Sequence, residues 1–387
     1  MKAGWQTKTL GDVCHVYQPE TISQNQMVAG EFPVYGANGR IGWHNQFNHE
    51  DPQLILGCRG SCGTVHITEP RAWINGNAMV VQPKNGVIEL PFLAYALKGG
   101  IELADAITGT AQPQITRTSL MPLAISFPMS IPEQRRIVGI LDEVFEGIAF
   151  AKTNTEKNLQ NTHVLFESHL HSVFTQRGKG WVEKPLSELC DIKHGFAFKS
   201  EFFASEGDYV LLTPGNFYES GGYRYRGEKQ KYYIGEIPRD YVLSKGDLLV
   251  AMTEQAAGLL GSPILVPESD RFLHNQRLGL VTKKPGVPWT NEFFFHVFNT
   301  QPVRKEIHDS ASGVKVRHTS PTKIGEVIVS FPTSLTEQHA IVSKLKDLRE
   351  ETQRLESIYQ QKLSALESLK KSLLHQAFTG QLAGASV

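Results

Sequence analysis

The chain is written twice, and this limits its folding more than any other feature. Phe127-Pro128 recurs as Phe331-Pro332, an offset of 204. At that offset Glu133-Gln134 falls on Glu337-Gln338, Ile137-Val138 on Ile341-Val342, and Leu141 on Leu345. The register holds through Leu165 and Leu369, Leu170 and Leu374, His171 and His375, to Phe174-Thr175 and Phe378-Thr379. Upstream, Trp5, Lys8, Leu10 and Cys14 fall on Trp181, Lys184, Leu186 and Cys190 at an offset of 176. A repeat this long implies two copies of one structural plan. The second copy carries 28 extra residues between the two matched segments.

The repeated segments after Phe-Pro have helical grammar. In the second copy Ile341, Leu345, Leu348, Thr352, Leu355, Tyr359, Lys362, Leu366, Leu369 and Leu373 alternate spacings of four and three. The first copy carries Ile137, Leu141, Val144, Ile148, Ala151, Thr155, Asn158, Thr162, Leu165 and His169 in the same pattern. This is a heptad seam with polar interruptions. After the Pro at its start, the first run contains only Gly139 and Gly147 as helix-weakening residues. Each copy therefore predicts a helix of roughly 60 Å. Such a stripe needs a partner: the other copy, running antiparallel in the same chain, or a second chain.

Between these helices the text changes. "LILGCRGSCGTVHI", "NAMVVQP" and "LAISFP" in the first copy read as strands with Gly-rich turns, as do "YVLSKGDLLVAM", "GSPILVP" and "LGLVTKK" in the second. Short helices are expected at "LPFLAYALKGG" and "NEFFFHVFNT". The fold class is α+β. Two mixed α/β globules, 1–129 and 177–332, are separated by two long antiparallel coiled-coil helices, 130–176 and 333–379, with an internal pseudo-two-fold repeat. The strand order does not follow from the sequence.

Composition excludes several classes. Hydrophobic residues at 40% and charged residues at 20% fit a globular protein. No stretch reaches the ~18 apolar residues of a membrane span, and the first residues lack the apolar core of a signal peptide. A cytoplasmic chain that makes no membrane contact is expected. Lys+Arg 39 against Asp+Glu 39 argues against an indiscriminate polybasic nucleic-acid binder. Cys58 and Cys62 lack a second ligand pair at metal-site spacing, so they read as small strand cysteines. No phosphate-binding GxxxxGK[ST] loop, dinucleotide fingerprint, HExxH helix or amino-methyltransferase motif occurs. No residue is assigned as catalytic or metal-ligating.

Polar loops do stand out. "YRYRGEKQKYY" (223–233) interleaves four cations with four tyrosines. On a strand pair this suits phosphate and base contact, and equally suits a solvated hairpin. "GVKVRHTS" places Lys315, Arg317 and His318 after a Gly, just before the second long helix. The matching "GTAQPQITRTS" carries Gln112, Gln114 and Thr116, with Arg117 close by. Gln can read an adenine edge and Arg a guanine edge. Different polar residues in matching loops suit two globules that read different sequences.

Taken together, the layout resembles the specificity (S) subunit of Type I restriction–modification enzymes over the whole chain. The two Pro/Thr-Glu-Gln-x-x-Ile-Val helices resemble that family's conserved regions. "FPVYGANGRIGW" with "GTAQPQIT", and "DIKHGFAFKS" with "LSKGDLLVAMTEQAAG" and "HNQR", resemble variants of its target recognition domains. The resemblance implies a chain without catalytic activity that directs its partners to a bipartite DNA target, one half-site per globule. It also implies two methyltransferase subunits as partners, with restriction subunits as optional further ones. S-adenosylmethionine, ATP and Mg would sit on those partners, and this chain would hold no cofactor.

On that reading the first half-site is assigned to Arg59, Gln112, Gln114 and Arg117. The second is assigned to Lys199, Lys229, Lys231, Arg277, Lys315, Arg317 and His318. The helix starts, Glu133, Gln134, Glu337 and Gln338, are assigned to subunit docking. Two other readings stay open on the residues alone. One is a pseudo-dimeric scaffold for peptide or glycan; the other is a self-sufficient restriction enzyme with a divergent catalytic centre.

Overall fold

A computed structural model describes residues 4–109, 112–254 and 258–384. Residues 110–111 and 255–257, parts of two of the loops quoted above, lie outside the described residues. The chain divides into two compact units: 1–158 with 358–387, and 159–357. A long helix closes each sequence copy, α1 (Ile131–Thr175) and α2 (Leu335–Phe378), and each unit takes part of both.

The first unit is built on strand Trp5–Thr9, which pairs antiparallel with Ala124–Pro128, Trp5 opposite Pro128. The chain then enters a four-stranded sheet in the order Cys14–Tyr17, Ala78–Pro83, Leu54–Gly57, Val65–Ile67. Thr9 caps the short helix between the two strands, and Asp12 returns the bond to the Thr9 backbone. One sheet face is covered by the expected helix, Leu90–Tyr95, which runs on as a π-helical turn at Ala96–Gly100. A smaller sheet orders Gly39–His44, Phe32–Gly36 and Trp73–Ile74.

Both long helices contribute to this core. Ile137 and Leu141 of α1 and Leu374, Ala377 and Phe378 of α2 cluster with Leu54, Leu56, Phe92 and Phe127. Gly99 and Gly100 make the approach of α2 possible. A Cβ on Gly99 would lie 2.7 Å from the Leu374 side chain, and one on Gly100 would lie 2.3 Å from the Phe378 ring. Within this unit α1 and α2 are antiparallel, with Lys152 paired to Glu367 and Lys370 over the Phe145 ring.

The second unit repeats the plan. Trp181–Pro185 pairs with Ile328–Pro332, Trp181 opposite Pro332. Its main sheet orders Cys190–His194, Leu278–Lys283, Leu248–Ala251 and Pro263–Leu265. Cys14 faces Pro83 and Gly57 faces Ala78, as Cys190 faces Lys283 and Ala251 faces Leu278. These registers locate the extra residues. The offset is 176 at Cys14/Cys190, 194 at Gly57/Ala251 and 200 at Ala78/Leu278, so most of the insertion precedes Leu248. It builds a five-stranded sheet in place of the three-stranded one. Phe293, Phe294, Phe298 and Phe331 fill this core, with Phe174 of α1 and Ile341 of α2 against it. Here too α1 and α2 run antiparallel, with Arg349 over Phe166 and Leu345 beside Leu170.

The heptad seam holds only in part. Ile137, Leu141, Thr155 and Thr162 are buried as expected, but Leu165 is 50% exposed while Phe166 and Leu170 are buried instead. In α2 the seam likewise leaves Leu369 exposed and continues through Leu374 and Phe378. A straight α-helix drifts about 20° per heptad from a strict 3.5-residue repeat, so the buried stripe slips by one residue. The buried hydroxyls are satisfied by their own helix: Thr155 donates to Ala151 O and Thr352 to Arg349 O.

Candidate nucleic-acid interface

In the first unit the chain leaves strand Leu54–Gly57 through Cys58 and Arg59. Arg59 forms an isolated antiparallel bridge with Gln114, and Ile115 N donates to Cys58 O at 3.0 Å. The bridge brings two distant loops together around an open cleft lined by Arg59, Gly60, Gln112, Pro113 and Gln114. Cys62 Sγ lies 3.0 Å from Pro113 O on the same structure, and Cys58 is buried. Among the described residues no cluster of His, Cys, Asp and Glu could hold a metal ion.

The second unit has the same construction. Thr253 pairs with His318 and Glu254 with Arg317, and Thr319 N donates to Met252 O at 3.0 Å. Arg59 and Gln114 therefore occupy the positions of Thr253 and His318. Gly109 and Gly313 turn the two loops with positive φ, +86° and +102°. A Cβ on either would meet the carbonyl oxygen three residues on, that of Gln112 at 2.7 Å or Val316 at 2.1 Å. Gln112 and Val316 are therefore equivalent, and each lines its unit's cleft.

The second cleft is larger, about 850 Å³, and carries more charge. Arg224, Arg226, Lys231 and Arg277 line it with Tyr218, Thr253 and Val316, and two acids, Glu219 and Glu254, lie among them. Glu254 is buried and acts as a clamp. Its Oε2 accepts from Leu259 N at 2.9 Å and Leu260 N at 3.0 Å, and its Oε1 lies 3.6 Å from His308 Nε2. Arg304 anchors the same loop: Nε donates to Leu260 O at 2.9 Å and Nη1 to Glu219 O at 3.0 Å. Burial pulls its guanidinium below the usual range, to about 10.

Of the first-unit residues picked from sequence, Arg59, Gln112 and Gln114 converge on one cleft. Arg117 stands apart at the start of the short helix Arg117–Leu120, its Nε 3.3 Å from Met121 Sδ. In the second unit Lys231 and Arg277 line the cleft. Lys315 and His318 are exposed on the neighbouring loop. Lys199, 3.9 Å from Glu201, and Lys229, in the turn Gly227–Lys229, do not line it. Arg317 is half-buried and turned inward, its Nη2 donating to His308 O at 2.7 Å and its Nη1 against the His308 ring. It fastens the loop to the helix Gln301–Asp309.

The tyrosine–arginine stretch is not a hairpin. Buried Gln230 accepts from Asn216 Nδ2 at 3.0 Å and folds the segment back on itself. Arg224 and Arg226, which belong to that stretch but are not among the residues assigned to the half-site, are thereby delivered to the cleft. Arg226 lies on bare backbone, where a Cβ on Gly215 would meet its Nη1 at 2.6 Å.

At the helix starts the two glutamines turn inward. Gln134 and Gln338 are fully buried. Gln134 Oε1 accepts from Glu89 N at 2.8 Å, and its Nε2 donates to Pro128 O at 2.9 Å and Val87 O at 3.2 Å. Gln338 repeats this with Thr290 N, Pro332 O and Pro288 O. Both amides bind their helix to its own globule. Glu133 and Glu337 are half-buried; Glu133 pairs with Arg136, and Glu337 accepts from Trp181 Nε1 at 2.9 Å.

Comparison with known proteins follows the same two-part layout. The family model of the Type I restriction modification DNA specificity domain matches residues 2–161 and again 178–365. The specificity subunit of the Escherichia coli Type I restriction enzyme EcoBI is 26% identical over 239 residues, 61% of this chain and 44% of that protein. That of EcoprrI, also from Escherichia coli, is 27% identical over 142 residues, 35% of each chain. The matched region thus spans less than half the length of either relative. A solved chain of a type I R-M system superposes with a TM-score of 0.75 at 17% identity, covering 98% of this chain and 99% of its own. The HsdS subunit from Thermoanaerobacter tengcongensis gives 0.64 at 16% identity, covering 98% of each. The chain belongs to the Type I restriction modification DNA specificity domain family, whose domain it carries twice.

Proposed function

We propose that this chain is the sequence-recognition subunit of a Type I restriction–modification complex, reading a bipartite DNA target with one half-site per unit. The observation that carries this reading is the pair of equivalent clefts. One backbone frame, set by the Arg59–Gln114 and Thr253–His318 bridges, presents different side chains in each unit. A frame held constant while its lining changes is what two independent readers need. Cations around the second cleft suit phosphate contact, and the side chains of the cleft walls suit base edges. The peptide or glycan scaffold has no comparable observation in its favour.

On this reading the chain contributes recognition and its partners contribute chemistry. Two methyltransferase subunits would carry S-adenosylmethionine, and restriction subunits would bring ATP and Mg. Among the described residues no helix is long and apolar enough to cross a membrane. The test is methylome sequencing of a host with and without this chain and its methyltransferase. A bipartite adenine methylation pattern that depends on the chain is expected. Methylation that is unchanged by its deletion, or a one-part target, overturns the reading.

A further inference from the structure

The two clefts share a frame but not a chemistry. At the bridge, Arg59 is replaced by Thr253, and on the loop Gln112 is replaced by Val316. Two side chains that reach base edges by hydrogen bonds thus become two that present methyl groups. Val316 lies on the cleft wall with 36% of its surface exposed, and Val314, on the same loop, is 100% exposed. Neither belongs to a hydrophobic cluster of its unit. A fully exposed valine such as Val314 removes little surface from water on folding, so it adds little to stability, while Val316 keeps part of its apolar surface open to the cleft. Val316 shares its cleft with the cations Arg224, Arg226, Lys231 and Arg277 and the acids Glu219 and Glu254, and Lys315 precedes it in the chain.

We propose that Val316, aided by the Thr253 methyl, is a specificity-determining residue that recognises the 5-methyl group of a thymine in the second half-site. The inference rests on the DNA-reading assignment above and sharpens it. In the major groove a thymine differs from the other bases by an apolar group, and apolar side chains are what recognise it. The surrounding cations supply affinity from phosphates without reading sequence. The wall formed by Val316 and Thr253 supplies discrimination by taking that methyl group out of water. In the first unit Gln112 and Arg59 face the same place and read by hydrogen bonds. The two half-sites are therefore distinguished by the type of contact as well as by the base.

The experiment uses the complete chain assembled with its methyltransferase subunits, on the target defined by the methylome. Synthetic duplexes carry uracil in place of each thymine in turn, which removes only the methyl group. Competition binding is expected to show one thymine of the second half-site whose replacement weakens binding by about fourfold, the worth of one buried methyl. Val316→Thr, which preserves shape, should weaken binding to the thymine duplex similarly and lose nothing further on uracil. In the first half-site a uracil effect should be unaltered by Val316→Thr. The proposal is overturned if the second half-site contains no thymine, if uracil is tolerated at every position there, or if Val316→Thr loses equally on both duplexes. It is also overturned if the uracil effect is abolished by Val314→Thr instead. Absence of specific binding to any duplex, thymine or uracil, would overturn the DNA-reading assignment itself, and the two failures are thus distinguishable.

Discussion

Gln338 Oε1 accepts the backbone N–H of Thr290 at 3.0 Å, tying the first turn of α2 to a loop 48 residues earlier. Gln134 does the same to Glu89 at the start of α1. Each amide satisfies backbone groups that would otherwise be buried without partners. Gln134→Ala or Gln338→Ala should therefore cost about 2–3 kcal/mol, because a lost partner strands donor and acceptor groups. Urea unfolding of the single variants checks this. Glu133→Ala, which removes a partly exposed ion pair, should cost under about 1 kcal/mol.

The close approach of α2 to the first unit gives a packing prediction. Gly100→Val should destabilise that unit by about 1–3 kcal/mol, since the new side chain meets the Phe378 ring. Phe378→Ala combined with Gly100→Val should recover part of the loss. Denaturation midpoints of Gly100→Val, Phe378→Ala and the double variant decide it.

Two buried histidines make the second unit sensitive to acid. Burial lowers both His274 and His296 from about 6.5 to about 4, with Arg349 adding to the effect at His296. The folded state keeps them neutral, whereas the unfolded chain protonates them below its ordinary pKa. Their cost is absent above pH ~6.5, grows as pH falls, and levels off below ~4. At pH 5.5 each should cost roughly 1 kcal/mol. Urea midpoints that stay constant from pH 7.5 to 5 would contradict this.

Contacts with DNA should separate by type. Arg59→Ala and Gln114→Ala should each cost ~1–3 kcal/mol at one base pair of the first half-site and leave the second unaffected. Lys315→Ala should weaken all sequences alike and reduce the salt slope by about 1. Arg317→Ala should lower thermal stability as well, because it removes the tie to His308. Competition binding across a salt series, with melting curves, checks all four.

Helix α1 runs without interruption through 151–160. Inserting two turns there, about seven residues, should lengthen the preferred spacer between half-sites and leave both half-site sequences unchanged. Methylome sequencing of the variant reads this directly, and an unchanged spacer refutes it.

The repeat, both long helices and most main-sheet strands were legible in the sequence because they depend on local periodicity and turn chemistry. Arg59, Gln112 and Gln114 were legible because polar residues in matching loops attract attention. The stretch that holds Arg224 and Arg226 stands out as well, but not which of its four cations face the cleft, and Val316 does not stand out at all. Arg224 and Arg226 reach the cleft only because Gln230 folds their segment inward, and Val316 is apolar and carries no motif. The inward turn of Gln134 and Gln338 is not legible, because a repeated polar pair at a helix start looks the same whether its side chains face solvent or the globule.

The sequence by itself determined that one plan is used twice, since a constant register of apolar and cap residues fixes the elements and their order. Tertiary structure decided which side chains share a cleft. Residues such as Arg59 and Gln114, 55 positions apart, meet only through a strand-end bridge. No local periodicity encodes that contact, because it exists only once the sheet has set the two loops side by side.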